Sequence, residues 1–229
     1  MSIFAISDIH GCDKTFAAML DKIGLSKQDE LFLLGDYIDR GPASKQVLDR
    51  IMKLKESGYK VTALRGNHEQ MMLESGENYE NLYFWNVNGG RQALDSFAID
   101  GNIPNSIQDI PQSYLDFCHA MEYYVESKGF IFVHAGLNFN QGSLFDDKQS
   151  MLWIRKWTDS VKYSWLGERI IVHGHTPQTR HEIEERFSEL EHFQVLNIDN
   201  GCVFNKQGYN HLCCVDLTKM KLHFQKCID

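Results

Sequence analysis

Residues Leu31–Gly41 read LFLLGDYIDRG, and this stretch decides the fold. Its first four residues form a short, wholly apolar run, which is typical of a strand buried on both faces. Gly35 allows the backbone to turn tightly just beyond that run. Asp36, Asp39 and Arg40 follow at once, at the carboxyl end of the strand, where the sheets of α/β proteins gather their ligands. Two carboxylates delivered to one sheet edge favour a nearby cation.

The same pattern, a buried strand that ends in polar side chains, recurs along the chain. Two amphipathic helices separate the first three strands. The first is predicted after Asp13, which is a suitable cap, and the second begins at Pro42. The predicted strands with polar ends are Ser2–Ser7, Leu31–Leu34, Tyr59–Leu64, Phe130–Val133 and Arg169–Val172.

The last part of the chain alternates short strands without helices between them. We expect strands at Val195–Ile198, Cys202–Phe204, His211–Leu217 and Lys221–Lys226, with a tight turn at Asp199–Gly201. Parallel βαβ units followed by an antiparallel meander indicate an α/β protein in which two mixed sheets face each other with helices outside.

The segment from about 71 to 128 is richer in aromatic residues and helical patterns than its surroundings. We interpret it as a mostly helical excursion within a single domain that spans residues 1–229. The turn Asn88–Arg91 could form a pocket rim or could be an ordinary turn. Residues Ser150–Trp157 are predicted to form the edge of a helix or a loop.

Composition excludes several classes of protein. The formal net charge of −8 argues against binding to a nucleic-acid backbone, which requires clustered Lys and Arg. The chain has no apolar run of about 18 residues and no basic leader, so we expect a cytoplasmic protein with no membrane partner. Six cysteines occur without a CxxC pair, which favours reduced thiols over a disulfide framework or a zinc cluster. The oligomeric state is open.

Ligand-type side chains follow five of the predicted strands. A single histidine beside a strand is usually unremarkable, but five such ends at one sheet edge predict a metal site. Carboxylate, imidazole and amide donors together suit Mn, Fe or Zn. The donors outnumber those that one ion needs, which indicates two ions about 3.5 to 4 Å apart. The candidates are Asp8, His10, Asp36, Asp39, Asn67, His68, His134, His173 and His175; His119, His181, His192, His211 and His223 lack this context.

Five motifs in this order, DIHG, GDYIDRG, RGNHE, VHAGL and VHGHTP, resemble the metallophosphoesterase signature. The form is that of the PPP-type serine/threonine phosphatases, and most closely of their small bacterial and phage members. WNVNGG, MLWIRKW and NIDNGCVF are also similar to secondary motifs of the bacterial group. The resemblance implies a four-layer α/β/β/α sandwich, the calcineurin-like fold.

The resemblance also implies a ligand set for two divalent ions, most often Mn, with Fe or Zn as alternatives. One ion takes Asp8, His10 and Asp36, and the other takes Asp36, Asn67, His134 and His175. By residue type alone either histidine of HGH could be the ligand, and the family pattern selects His175, the one before Thr-Pro.

The implied mechanism is hydrolysis of a phosphoester by direct in-line attack of a hydroxide that bridges the two ions. Arg40, Arg65 and Arg155 bind the substrate phosphate. His68 protonates the leaving alkoxide, and Asp39 orients its ring. We therefore expect a phosphoprotein phosphatase.

Two alternatives remain open. Symmetrical dinucleoside-tetraphosphate hydrolases resemble this chain in every catalytic motif, so a small phosphoester is the alternative substrate. A catalytically inactive scaffold on the same fold is a third hypothesis, although the chain retains every ligand. The sequence predicts neither the physiological substrate nor activity on phosphotyrosine.

Overall fold

The computed structural model describes all residues from Met1 to Asp229. Nine strands form two sheets, and short helices surround them. The strands are β1 Ile3–Ile6, β2 Glu30–Leu33, β3 Lys60–Ala63, β4 Tyr124–Ser127, β5 Phe130–Val133, β6 Ile170–His173, β7 Val195–Asn197, β8 His211–Asp216 and β9 Lys221–Lys226. The α-helices are α1 Asp13–Ile23, α2 Ser44–Glu56, α3 Asn67–Glu74, α4 Tyr79–Trp85, α5 Arg91–Ser96, α6 Gln112–His119, α7 Lys148–Trp153, α8 Tyr163–Leu166, α9 Arg180–Ser188 and α10 Leu190–Phe193.

Both sheets are mixed, as the sequence predicts. The first has the order β3-β2-β1-β8-β9. Strands β1, β2 and β3 are parallel to one another, β8 pairs antiparallel with β1, and β9 pairs antiparallel with β8. The second has the order β4-β5-β6-β7, with β5, β6 and β7 parallel. Helical crossovers link the parallel strands, so the carboxyl ends of neighbouring strands meet at one edge of each sheet.

The sheets pack face to face through alternate residues of their central strands. Phe32 of β2 stacks on Phe132 of β5 with ring centroids 4.0 Å apart, and Ala5, Val172 and Val215 belong to the same buried layer. The other face of the first sheet is covered by α1, α2 and α6, and the outer face of the second by α7 and α8. The fold is therefore the four-layer α/β/β/α sandwich that the motifs imply.

Three local predictions need correction. Cys202–Phe204 is a turn, closed by a hydrogen bond from the Phe204 N–H to the Gly201 carbonyl at 2.9 Å. Strand β4 was not predicted, because it lies inside the segment interpreted as helical and pairs only at the sheet edge. Asp13 does not cap α1; it lies in the first turn, where the Asp229 carboxylate accepts from the N–H of Lys14 at 3.0 Å.

None of the helices combines the length and apolar character that crossing a bilayer demands.

Candidate metal centre

Side chains from both sheets converge at the carboxyl ends of the parallel strands. Asp8 follows β1, and Asp36 follows β2. Asn67 is the first residue of α3 and comes four residues after the last residue of β3, Ala63. His134 follows β5, and His175 follows β6. All five are buried, with at most 5% of each residue exposed, although polar residues are normally exposed.

The backbone at the site adopts a conformation that L-residues rarely take. Asp8, His10, Asp36, Asp39 and His175 have φ between +47° and +71°, in the left-handed region. Each such residue costs roughly 1 to 3 kcal/mol and persists only where the surrounding fold imposes it. The strain turns these side chains sharply off the strand ends into one small volume.

One group of donors surrounds the amide of Asn67. Its Oδ1 lies 2.9 Å from His134 Nε2 and 2.9 Å from His175 Nδ1, and these two nitrogens are 3.2 Å apart. Asp36 Oδ1 is 3.4 Å from the same His134 nitrogen. Four potential ligand atoms thus face a common point.

The hydrogen bonds of His134 decide which of its nitrogens is free to bind a cation. Nδ1 contacts the Leu34 carbonyl at 2.8 Å, and because a carbonyl only accepts, Nδ1 carries the hydrogen. Burial lowers the pKa of the His134 ring, so the ring is neutral and Nε2 presents a lone pair. That lone pair faces the Asn67 carbonyl oxygen, so two acceptors point at each other. A divalent cation bound by these two atoms would satisfy both.

A second group contains His10. Its Nδ1 contacts the Ile38 carbonyl at 2.9 Å, which leaves the Nε2 lone pair facing the site. Nε2 lies 3.6 Å from Asp36 Oδ2. Asp36 is therefore common to both groups, with one oxygen towards His10 and the other towards His134.

The electrostatics of the centre also favour cations. Burial, followed by the charges of Asp8 and Glu69, raises the pKa of Asp36 well above its usual range. The Asp8 carboxylate accepts from the backbone N–H of His175 at 3.0 Å and from the Ser7 hydroxyl. Asp199, a further buried carboxylate, has a raised pKa because of burial and the charge of Asp8. The residues present therefore fit a pair of divalent ions, for which six residues supply oxygen or nitrogen donors.

Glu69 holds the Asp36 loop from behind. Its fully buried carboxylate accepts from the backbone N–H groups of Asp36 at 2.9 Å, Tyr37 at 2.8 Å and Gly66 at 2.9 Å. No role was predicted for Glu69 from the sequence. The sequence feature that could have revealed it is an acidic residue at the third position of α3. An acid at that position commonly accepts hydrogen bonds from backbone amides.

His68 and Asp39 form a buried pair next to the centre. His68 Nδ1 lies 2.6 Å from Asp39 Oδ2, and His68 Nε2 lies 3.9 Å from Asp36 Oδ2. The indole N–H of Trp85 donates to both Asp39 oxygens at 3.0 Å. Burial raises the pKa of Asp39, and the bond from Trp85 opposes that rise. Trp85 was not predicted as a site residue, although the WNVNGG motif contains it.

Two of the three predicted phosphate-binding arginines lie beside the donor groups. Arg40 Nη1 is 2.6 Å from His10 Nε2, so a guanidinium already faces that lone pair. The N–H of Arg40 donates to the Gly89 carbonyl at 3.3 Å, which places Asn88–Arg91 against the site. These residues were predicted to form a turn, but they belong to a kinked helical segment, Asn86–Gly90, that joins α4 to α5. Arg155 is exposed, and its Nη1 lies 3.4 Å from Thr176 Oγ1, next to His175.

Arg65 is held differently. Its guanidinium donates to Gln70 at 2.9 Å, to the Tyr123 hydroxyl at 2.9 Å and to the His119 carbonyl at 2.6 Å. None of these partners belongs to the two donor groups. Only Nε lacks a partner, and it is buried.

His173 lies outside both donor groups. Its Nδ1 is 3.2 Å from the Gly174 carbonyl, and its ring packs against Trp157 with centroids 5.1 Å apart. The structure thus places His175, and not His173, against Asn67. Gly174 between them has no room for a side chain, since a Cβ would overlap the Ser7 hydroxyl and the Asp8 carboxylate.

The fold and this centre define a class of metal-dependent hydrolases, and comparison with known families identifies it. Residues 1–202 match the family described as calcineurin-like phosphoesterase, and the chain belongs to that family. The metallophosphoesterase resemblance is thereby confirmed.

Particular relatives carry two different names. "Serine/threonine-protein phosphatase 1" of Salmonella typhimurium is 27% identical over 212 residues, which cover 90% of this chain and 88% of the relative. "Bis(5'-nucleosyl)-tetraphosphatase, symmetrical" of Wigglesworthia glossinidia brevipalpis is 46% identical over 74 residues, or 32% of this chain. The match spans about a quarter of the tetraphosphatase's own length (26%).

A solved structure shares the fold. A protein serine/threonine phosphatase from Saccharomyces cerevisiae, with similarity to human phosphatase PP5, superposes with a TM-score of 0.71 at 14% identity. The superposition covers 100% of this chain and 81% of the yeast chain. At this identity the likeness shows the calcineurin-like fold alone.

Proposed function

We propose that this protein is a metal-dependent phosphoprotein phosphatase that acts on phosphoserine and phosphothreonine. The observation that carries the proposal is the position of Asp36 between two donor groups, 3.6 Å from His10 Nε2 and 3.4 Å from His134 Nε2. A carboxylate shared in this way is the basis of the two-metal sites that hydrolyse phosphoesters. The relative that matches nearly the whole chain is named as a serine/threonine-protein phosphatase.

In this proposal one ion is held by Asp8, His10 and Asp36, and the other by Asp36, Asn67, His134 and His175. Manganese is the proposed metal, because hard carboxylate and amide oxygens stand beside imidazole nitrogens. When bound, such ions neutralise phosphate charge and make water acidic enough to supply a nucleophile near neutral pH.

His68 is the proposed proton donor to the leaving alkoxide. Its Nδ1 is occupied by Asp39, so Nε2 is the atom that can face substrate. The Asp39 carboxylate fixes the orientation of the ring. Burial and the charges of His10 and Arg40 lower the pKa of His68, and the negative charge of Asp39 opposes that fall. Trp85 in turn holds the carboxylate, with both oxygens in hydrogen-bond contact with its indole N–H.

Arg40 and Arg155 are the stronger candidates for binding the substrate phosphate. Both are near the donor groups, and a planar guanidinium matches two phosphate oxygens at once. Arg65, the third predicted residue, has to release bonds to Gln70, Tyr123 or His119 before it can make the same contact.

An aromatic surface beside the centre supports a peptide substrate. The Trp153 ring lies 6.3 Å from His175 and 6.2 Å from Phe84. Phe84 is 49% exposed, and Tyr83 and Val87 nearby in the sequence are each 60% exposed. Exposed apolar side chains next to a polar cleft are typical of a binding surface. The apolar side chains of a phosphopeptide can pack against this surface.

Symmetrical hydrolysis of dinucleoside tetraphosphates is the second candidate. The specific observation in its favour is the 46% identity over 74 residues to a tetraphosphatase. That segment covers only about a quarter of the relative (26%), so it leaves most of the tetraphosphatase unmatched.

One experiment separates the candidates. Purified protein is assayed with Mn²⁺ on a phosphoserine peptide, a phosphotyrosine peptide and diadenosine tetraphosphate, and kcat/KM is compared. The proposal expects the phosphoserine peptide to be the best substrate. A preference for diadenosine tetraphosphate, with ADP as product, would replace it by the second candidate.

Two controls complete the test. Phe84→Ala should raise KM for the peptide while leaving hydrolysis of p-nitrophenyl phosphate unchanged, because that substrate is too small to reach the aromatic surface. Wild-type protein that binds no metal and turns over none of the substrates would instead identify an inactive scaffold.

A further inference from the structure

Three cysteines that are far apart in the sequence meet behind the metal centre. The Sγ atoms of Cys12, Cys202 and Cys227 all lie within 4.8 Å of one another. Those of Cys12 and Cys227 are 3.8 Å apart. Cys12 and Cys202 are buried, with 1% exposed, and Cys227 is half-buried. The structure contains no disulfide.

We infer that Cys12, Cys202 and Cys227 form a second metal site, which binds one thiophilic cation such as Zn²⁺ and is separate from the Asp36 centre. Thiolate sulfur selects this class of metal, whereas the Asp36 centre offers only oxygen and nitrogen. A Zn–S bond of about 2.3 Å places tetrahedral sulfur ligands about 3.8 Å apart, so the Cys12–Cys227 separation already suits coordination. The third sulfur needs a shift of at most about 1 Å.

The three thiols differ in their tendency to ionise. The start of α1 beside Cys12 is already capped, because Asp229 accepts from the N–H groups of Lys14 and Thr15. Although the hydrogen bond with Cys202 acts in the opposite direction, the hydrogen bond with Cys227 and burial raise the pKa of Cys12, so the bound cation would itself supply the positive charge that stabilises a Cys12 thiolate. Hydrogen bonds with Cys12 and Cys202 lower the pKa of Cys227 below that of an ordinary thiol. Cys227 is half-buried, so solvent can reach the cluster, and a water would be the fourth ligand that zinc usually takes.

The proposed site would fasten the last strand to the loops of the Asp36 centre. Cys227 follows β9, and the next residues are tied to α1 through a bond from the Ile228 N–H to Thr15 Oγ1 at 2.9 Å. Cys12 comes two residues after His10, and Cys202 comes three residues after Asp199. A cation bound to all three sulfurs therefore restrains both loops from behind.

Cobalt distinguishes this site from the Asp36 centre. Reduced wild-type protein is titrated with Co²⁺, whose thiolate complexes absorb strongly in the near ultraviolet through sulfur-to-metal charge transfer. Because the Asp36 centre can also bind Co²⁺, we expect a charge-transfer band whose final intensity corresponds to one thiolate-bound Co²⁺ per chain, whatever the total amount of Co²⁺ bound, and which disappears when Zn²⁺ is added. Cys227→Ser should abolish the band. The matched control Cys118→Ser changes a buried cysteine outside the cluster and should keep it.

A measurement on the wild-type chain avoids dependence on the folding of the variants. Alkylation of Cys227 by iodoacetamide is followed by mass spectrometry. At a free Zn²⁺ concentration about ten times Kd, roughly a tenth of the thiol remains unbound, so labelling should slow about tenfold. Absence of the cobalt band in reduced protein, a band that survives in Cys227→Ser, or labelling that ignores Zn²⁺ would each overturn the site. A Cys12–Cys227 disulfide that forms when the reductant is removed, in protein that gives no cobalt band, would do the same and would identify a redox pair instead.

Discussion

The Asp39 carboxylate lies between His68, whose Nδ1 is 2.6 Å from one oxygen, and Trp85, whose indole N–H is 3.0 Å from both. The carboxylate is completely buried and depends on these partners, together with the Asp39 N–H bond to Ser44 Oγ at 2.9 Å, for its position. The pair therefore has a fixed geometry before any substrate arrives.

Replacing His68 tests the acid role directly. We expect His68→Asn to retain both metals and to lose about 10²- to 10⁴-fold in kcat on a phosphoserine peptide, the usual worth of a general acid. The loss on p-nitrophenyl phosphate should be much smaller, because its phenolate leaves without a proton. Steady-state kinetics on the two substrates provide the measurement, and equal losses would remove His68 from this role.

Trp85→Phe tests the support of Asp39. The variant keeps an aromatic ring but removes a hydrogen bond to a buried carboxylate, worth about 1.5 to 3 kcal/mol, so kcat should fall by about 10- to 100-fold. The pKa of Asp39 should rise, since the Trp85 bond lowers it, and the acid limb of the pH–rate profile should move to higher pH. Trp165→Phe, remote from Asp39, is the control. An unshifted acid limb would show that Trp85 only fills space.

Asp36→Asn tests the shared ligand. Metal analysis of this variant should find depleted metal. We expect Mn²⁺ to raise the melting temperature of the wild type but not that of the variant, because a bound ligand stabilises the folded state. Asp159→Asn, at an exposed position, should behave as wild type. Full metal content in Asp36→Asn would contradict the shared role.

Gly174→Ala perturbs the centre without replacing a donor residue. The added methyl group would overlap the Ser7 hydroxyl and the Asp8 carboxylate, so Asp8 must move. We expect reduced metal content and a loss of stability of about 1 to 3 kcal/mol from overpacking. Gly142→Ala, where a Cβ meets no atom within 4 Å, is the matched control. Normal metal content in Gly174→Ala would mean that the loop adjusts freely.

His173 should make the stability of the metal-free protein depend on pH. Burial lowers its folded-state pKa to about 4, whereas the unfolded value is about 6.5. The unfolded chain therefore binds this proton first, and stability is lost as pH falls from about 6.5 towards 4, by at most about 1.4 kcal/mol per pH unit. Urea unfolding in EDTA should give His173→Gln a shallower acid dependence than wild type. Parallel curves for the two proteins would contradict this.

The sequence predicts the central strands well, and the candidate donor residues follow those strands, for a common reason. A strand buried on both faces is a continuous apolar run, and a glycine or charged residue marks its end. Leu31–Leu34 and Phe130–Val133 are of this type. Strand β4 was missed because it is a partly exposed edge strand with a charged Glu126 in its middle, so its pattern is weak.

Contacts between distant segments could not be predicted in the same way. Trp85 reaches Asp39 across 46 residues of sequence, and Cys12 meets Cys227 across 215. No local spacing encodes such contacts. The false strand at Cys202–Phe204 has a related cause, since these apolar residues follow the turn at Asp199–Gly201 and Cys202 is buried against the cysteine cluster.

The proposed ligands come from both layers of the sandwich. Asp8, His10, Asp36 and Asn67 follow strands of the five-stranded sheet, whereas His134 and His175 follow strands of the four-stranded one. Two metal ions held by these residues would cross-link the two sheets. Chelation should therefore weaken the contact between the sheets first, and amide hydrogen exchange should become faster in the facing strands β2 and β5 before it changes in the outer helices.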